Sequence, residues 1–132
     1  MKHFPLSLPQ EIELIAQLHL SGSRYFGTAK PASDWDFIVG SASNEAILAL
    51  FRKHKAYLIG SYAIETGGQV WRWDYEAQQT HIDFQIVPNI AWKLRAQAWI
   101  KAMLDEGFCF PDSKVKRNKI WEAAFKASED HV

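Results

Sequence analysis

Cysteine is almost missing from this sequence: a single one, Cys109, stands in Gly107-Phe108-Cys109-Phe110. One thiol excludes a disulfide framework within the monomer and fits a reducing compartment, so the cytoplasm is the expected location. The apolar neighbours of Cys109 predict a buried, inert thiol. An excess of either charge is missing as well. Lysine plus arginine and aspartate plus glutamate stand at 15 each, so no global field draws the chain toward nucleic acid. No apolar run approaches the length of a membrane span, and residues 1–13 lack the apolar stretch of a signal peptide, so neither is expected. The five histidines show no tight ligand pairing, which argues against a Cys/His zinc site. There is no internal repeat, low-complexity tract or interdomain linker, and residues 1–132 read as one domain.

What is present is ordinary for a globular protein: 48% hydrophobic and 23% charged residues. Six tryptophans and eight phenylalanines predict a core stiffened by large rings. Ser7-Leu8-Pro9-Gln10 reads as a capping box with an early proline, and Ile12, Ile15, Ala16 and His19 follow at helical spacing. A first helix is expected near 8–17, then a short strand at 18–20. Residues 27–33 are a loop by composition. A strand at 34–39 follows, then a helix capped by Ser41 or Ser43 with Ile47, Leu50, Phe51 and His54 on one stripe. Residues 56–64 read as a third strand, ended at Gly67-Gly68. Residues 69–75 and 80–87 read as an antiparallel pair joined around 76–79. Asn89 caps a helix near 90–106, with Trp92, Ala96, Trp99 and Met103 sharing a face and Gly107 at its exit. The basic run 113–119 is expected to be a solvated loop or helix start, and 116–128 the last helix. The element order predicts an α+β (or α/β sandwich) domain: one mixed sheet with helices packed on it.

Two segments carry chemistry. In a strand, residues two apart share a face, so Asp34 and Asp36 point the same way, with Cα atoms roughly 6.5 Å apart. Trp35 and Phe37 take the other face and anchor it to the core. In His81-Ile82-Asp83-Phe84-Gln85-Ile86 the same alternation puts Asp83 with His81 and Gln85. If the two strands are neighbours, three carboxylates meet. Such a group repels itself without cations. Magnesium takes oxygen ligands and keeps waters and substrate phosphates as partners, and two such ions can clamp an in-line phosphoryl displacement. The simpler reading of Asp-x-Asp is a pair of solvated charges guarding a strand edge.

Upstream, Gly22-Ser23 closes an apolar segment. Gly22 permits close backbone approach to a phosphate, Ser23 adds a hydroxyl, and the next N–H groups can open a short helix whose N-terminus favours anions. Arg24 adds a fixed charge, available to a phosphate or to a local carboxylate.

Gly22-Ser23-Arg24-Tyr25-Phe26-Gly27, followed by Ser33-Asp34-Trp35-Asp36-Phe37-Ile38-Val39, resembles the small stand-alone nucleotidyltransferases related to DNA polymerase β. Asp83 matches the family's third carboxylate on a later strand. The resemblance is strongest over 18–39 and extends to 80–87. Haloacid-dehalogenase-like phosphatases and sugar-nucleotide glycosyltransferases resemble it less, since both place apolar residues ahead of their Asp-x-Asp and here Lys30-Pro31-Ala32-Ser33 precedes it. The resemblance implies a nucleotidyltransferase fold with two magnesium ions. Asp34 and Asp36 would bind both ions, Asp83 the one that activates the acceptor hydroxyl, and Gly22, Ser23 and Arg24 the triphosphate. It implies transfer of a nucleoside monophosphate to a hydroxyl on an RNA end, a protein or a small molecule. The competing implication is a non-catalytic nucleotide-binding or antitoxin-type module. Trp71 or Trp73 is expected to stack a base only if its ring is exposed, and Lys114, Lys116, Arg117 and Lys119 could meet a nucleic-acid backbone. His81 could orient a ligand. The small size suggests a protein partner or an oligomer, and no membrane.

Overall fold

Alternation at two stretches of the chain decides the architecture. Trp35, Phe37 and Val39 lie on one side of their strand, and Ile82 and Phe84 on the same side of theirs, so both strands share one apolar face. The computed structural model describes residues 6–40, 44–62, 68–75 and 80–129. Five strands, β1 (Gln17–Ser21), β2 (Trp35–Gly40), β3 (Tyr57–Tyr62), β4 (Gly68–Tyr75) and β5 (Thr80–Ile86), form one mixed sheet in the order β1-β2-β5-β4-β3. β2 and β5 run parallel at its centre, and the other neighbours pair antiparallel. Helices α1 (Leu8–Glu13), α2 (Gly22–Phe26), α3 (Asn44–Lys53), α4 (Ile90–Asp105) and α5 (Lys114–Ala127) complete the domain. The class is α+β: one mixed sheet with helices on it.

Two apolar clusters hold the helices. Leu8 and Ile12 of α1 and Ile47 and Phe51 of α3 pack with Val39, Ile82 and Phe84 on one face of the sheet. Phe51 lies between Trp71, stacked at 5.1 Å, and Phe84 at 5.7 Å. The capping box forms as the sequence predicts: the Gln10 N–H donates to the Ser7 hydroxyl, and the Ser7 N–H donates to Gln10 Oε1. Glu11 accepts from Lys53 at 2.6 Å and contacts the His54 ring at 2.7 Å, which ties α1 to α3. These partners hold the Glu11 carboxyl below its ordinary value. The second cluster joins Phe26 of α2, Ala96 and Ile100 of α4, and Ala124 and Phe125 of α5.

Several elements depart from expectation. α1 ends at Glu13 rather than near 17, because residues from Gln17 on are taken up by pairing with β2 and Leu14 and Ile15 face solvent. β2 begins at Trp35, leaving Asp34 just ahead of it. α5 begins at Lys114, because the Ser113 hydroxyl accepts from the Lys116 N–H. The basic run is therefore the solvated start of a helix. Gly68 opens β4, one residue ahead of the expected start at 69. The most deeply buried residues of α4 are Lys93, Ala96, Gln97 and Ile100, while Trp92 and Trp99 of the expected face are partly buried against the second cluster. The indole N–H of Trp92 reaches sideways to the Phe125 carbonyl at 2.8 Å, so that ring flanks the buried stripe. Cys109 is exposed, not buried. Its neighbour Phe110 turns inward onto Phe26 at 5.2 Å, which sends the thiol outward. The caps expected at Ser41 and Ser43, the turn at 76–79 and Gly67 lie outside the described residues. Among those residues no helix is long and apolar enough to cross a membrane.

Candidate active site

Parallel pairing puts two of the three aspartates side by side. Asp36 of β2 is the register partner of Asp83 of β5. Paired residues share a face, so both carboxylates lie opposite the apolar side chains of Trp35, Phe37, Ile82 and Phe84. On the other flank of Asp36, in β1, stands Ser21, which is buried. Asp34 sits at the rim, one residue before β2. Its Oδ1 accepts from the His81 N–H at 3.3 Å and the Thr80 hydroxyl at 3.4 Å, which fixes it to the start of β5. Sheet topology thus gathers Asp34, Asp36 and Asp83 along one end of the central strand pair.

The electrostatics of this group are uneven. Asp36 is pushed up to about 7, first by burial, then by the charges of Asp83 and Asp34, with Arg72 and Lys93 pulling the other way. Asp83 is buried and bound in fork geometry: Arg72 Nε donates to Oδ1 at 2.8 Å and an Arg72 terminal nitrogen to Oδ2 at 3.1 Å. That bond raises the guanidinium above its ordinary value. Lys93 reaches in from α4 and is 6% exposed, its ammonium 3.8 Å from the Trp121 ring centroid. Burial brings it down to about 8, against the attraction of Asp36.

Breaking the Arg72–Asp83 pair leaves an aspartate charge buried without its fork. Arg72→Met is expected to cost on the order of 3 kcal/mol, read as a lower urea midpoint at pH 7. Arg72→Met with Asp83→Asn should recover most of that loss, and equal midpoints for wild type and Arg72→Met would show the fork to be without structural weight.

Gly22 brings the turn against this group. It has φ +65°, and a Cβ placed on it would stand 2.2 Å from Asp36 Oδ2. The carboxylate of Asp36 therefore lies directly against the turn backbone. Ser23 follows in α2, and its carbonyl accepts from the Thr28 N–H at 3.0 Å. Arg24 points elsewhere. Its terminal nitrogen donates to the Ser33 carbonyl at 2.7 Å and the Pro31 carbonyl at 3.2 Å, and its guanidinium lies 4.2 Å over the Trp35 ring.

Among the described residues no group of three or more His, Cys, Asp or Glu side chains is close enough to hold a metal ion by itself. Magnesium asks for less, since it is commonly bound through one or two carboxylates with water and phosphate completing its shell. Asp36 and Asp83 fit that requirement. Asp36 is raised first by its burial and then by Asp83 and Asp34, and a divalent cation beside the pair would favour its ionised form.

Trp71 and Trp73 are not on this face. They are packed, partly buried, against the α3 side with Phe51 and His54, so neither offers a ring to a base here. His81 does share the face of Asp83, and its Nδ1 is 2.6 Å from Asp74 Oδ1. Two residues of the site went unread in the sequence. Arg72 alternates with Trp71 and Trp73, so its face follows from period two, but its partner follows only from the β4–β5 register. Lys93 shares a helical stripe with Ala96, Gln97 and Ile100, where a lysine carries no compositional mark.

No protein-family model matches the sequence, and no curated protein matches it. A solved structure of the polymerase core of TRAMP, an RNA surveillance complex, is similar at 17% sequence identity and a TM-score of 0.49. The match covers 86% of this chain and 35% of the other, so the chain spans about a third of that structure's length. At this level of identity and score the likeness carries no functional conclusion.

Proposed function

We propose that this chain is a magnesium-dependent nucleotidyltransferase that moves a nucleoside monophosphate from a nucleoside triphosphate to a hydroxyl acceptor, releasing pyrophosphate. The observation that supports the reading is the in-register Asp36–Asp83 pair with the Gly22 backbone against the Asp36 carboxylate. Asp36 and Asp83, with Asp34 at the rim, are the residues we assign to two magnesium ions. Bound magnesium supplies positive charge that lowers the pKa of an attacking hydroxyl and offsets charge on the departing pyrophosphate. Gly22 and Ser23 are assigned to the phosphates, because a glycine turn admits an anion close to the backbone and the hydroxyl adds a donor. The central strands hold the carboxylates on a rigid support, and burial of Asp83 with partial burial of Asp36 restricts water around them. No covalent enzyme intermediate is required. The acceptor classes are an RNA end, a protein hydroxyl or a small molecule.

A second reading has its own observation. Arg72 occupies both oxygens of Asp83, as it would in a module that binds nucleotide without transferring it. One experiment separates the two. The protein is incubated with each α-labelled nucleoside triphosphate, magnesium, and in turn RNA, a protein extract and a small-molecule pool. Transfer is expected in one pool, with pyrophosphate released, and with both lost in Asp34→Ala and on chelation. Magnesium-dependent nucleotide binding without label in any pool favours the binding module. Pyrophosphate release indifferent to Asp34→Ala overturns the transferase.

A further inference from the structure

We propose that Arg24 is a positioning residue for the carboxylates and not a ligand of the triphosphate. The inference rests on the nucleotide and magnesium reading above. Arg24 leaves the Gly22-Ser23 turn on α2 and folds back over the segment that delivers Asp34 and Asp36. One terminal nitrogen is shared between the Ser33 carbonyl at 2.7 Å and the Pro31 carbonyl at 3.2 Å. The Ser33 carbonyl belongs to the peptide that leads into Asp34. On the other side of Asp34 the guanidinium plane covers the Trp35 ring at 4.2 Å. The residues before and after Asp34 are therefore both held by one side chain.

The loop adds its own half of the clamp. The Lys30 N–H donates to the Ser33 hydroxyl at 2.8 Å, and the Ser33 N–H donates to the Lys30 carbonyl at 2.9 Å, closing a tight turn over 30–33. That turn presents the Pro31 and Ser33 carbonyls toward Arg24. Trp35 in turn stacks on Phe37 at 6.1 Å and joins the core beneath the sheet. The path is continuous: phosphate-side turn, Arg24, the Ser33 peptide and the Trp35 ring, then Asp34 and Asp36. Arg24 Nε is buried and makes no hydrogen bond, so the guanidinium is seated by its terminal nitrogen and its flat face. A lysine cannot reproduce that seat. It has no flat, delocalised cation to lay on the indole.

The test compares wild type, Arg24→Lys and Arg24→Ala by two binding measurements and one structural one. Calorimetry with adenosine triphosphate in chelator reads phosphate affinity without metal. A thermal-shift titration with magnesium chloride alone reads the carboxylate site. Hydrogen exchange over 28–36 reads the loop. A positioning role predicts nucleotide affinity within about twofold in both variants. It predicts a magnesium midpoint raised tenfold or more, and faster exchange over 28–36. Where transfer is measurable, kcat should fall about 100-fold with KM little changed, as expected for misplaced reacting groups. Arg24→Lys should behave like Arg24→Ala. A phosphate ligand predicts the reverse: nucleotide affinity lost tenfold or more in Arg24→Ala, largely restored in Arg24→Lys, and an unchanged magnesium midpoint. That result overturns the inference and leaves the nucleotide reading standing. If Arg24→Ala does not fold, Arg24→Lys alone decides between the two patterns. A wild-type chain that takes neither probe overturns the nucleotide reading first, and this role with it.

Discussion

Asp36→Asn is expected to abolish any magnesium-dependent transfer and, in the same molecule, to raise the melting temperature of the metal-free protein at pH 8. Asp36 stands at about 7 in the fold against an ordinary value of 3.8. The sign follows from linkage. Below the ordinary value both folded and unfolded chains hold the proton, and the site costs nothing. As pH rises toward 7 the unfolded chain gives up its proton while the folded chain keeps it, so stability falls. Above 7 both are ionised and the full cost is present, on the order of 4 kcal/mol for a gap of this size. Asparagine removes the charge but still buries a polar amide, so about half of that, roughly 2 kcal/mol, should return. For a domain of this length that is a rise of several degrees. Scanning calorimetry in chelator at pH 5 and pH 8 checks it. Wild type should lose stability between the two, and Asp36→Asn should lose much less. Magnesium added at pH 8 should raise the wild-type transition and leave that of Asp36→Asn in place. An Asp36→Asn protein that melts below wild type at pH 8 would show that the aspartate is not held at a cost.

Such a site is one where local and global preferences disagree, and that disagreement made it partly legible. The face of each aspartate followed from period two: large apolar side chains at Trp35 and Phe37, and at Ile82 and Phe84, had to point into the core, which left Asp36 and Asp83 to the other side. The antiparallel β4–β5 pair and the caps at Ser7 and Asn89 followed from residues whose chemistry acts within a few positions. What the sequence did not carry is which strands lie beside one another. The Asp36–Asp83 register depends on β2 and β5 meeting in parallel across the connections between them, and the Arg72–Asp83 fork depends on the register that follows. The rotation of α4 was hidden for a related reason. Helical spacing offered Trp92, Ala96, Trp99 and Met103 as an apolar face. Packing against α5 and the acidic face of the sheet instead buries Lys93 and Gln97, the latter donating to the Leu20 carbonyl at 3.1 Å. The end of α1 was lost to a competition no local signal records, since pairing of Gln17 with Gly40 outweighs three or four more residues of helix. Arg24 was readable as a charge beside the Gly22-Ser23 turn, but its direction is set by carbonyls seven and nine residues away.

Gly22→Ala should be strongly damaging, and a matched control isolates the reason. Two glycines bracket α2 with positive φ, Gly22 at +65° and Gly27 at +80°. Alanine at either must adopt a left-handed backbone, which costs about 1–2 kcal/mol. The space around them differs. At Gly27 nothing stands within 4 Å of an added Cβ, whereas at Gly22 the methyl would meet Asp36 Oδ2 at 2.2 Å, Cγ at 2.9 Å and Cβ at 3.0 Å. The carboxylate cannot simply turn away. Asp36 sits on a central strand, with Ser21 on one side and Asp83 on the other. Relief must come from moving the turn, the strand or both, and either displaces the Gly22-Ser23 backbone from the carboxylates. Gly27→Ala is therefore expected to lose only the backbone term, with magnesium-dependent nucleotide binding intact. Gly22→Ala should lose about 2 kcal/mol more in urea unfolding and at least a hundredfold in any transfer activity. Asp36→Ala added to Gly22→Ala should restore much of the lost stability and none of the activity, because the two tightest contacts, at 2.2 and 2.9 Å, are then removed and only the Cβ at 3.0 Å remains. Failure of that second change to recover stability would place the damage in the backbone alone and remove the Gly22–Asp36 contact from the account.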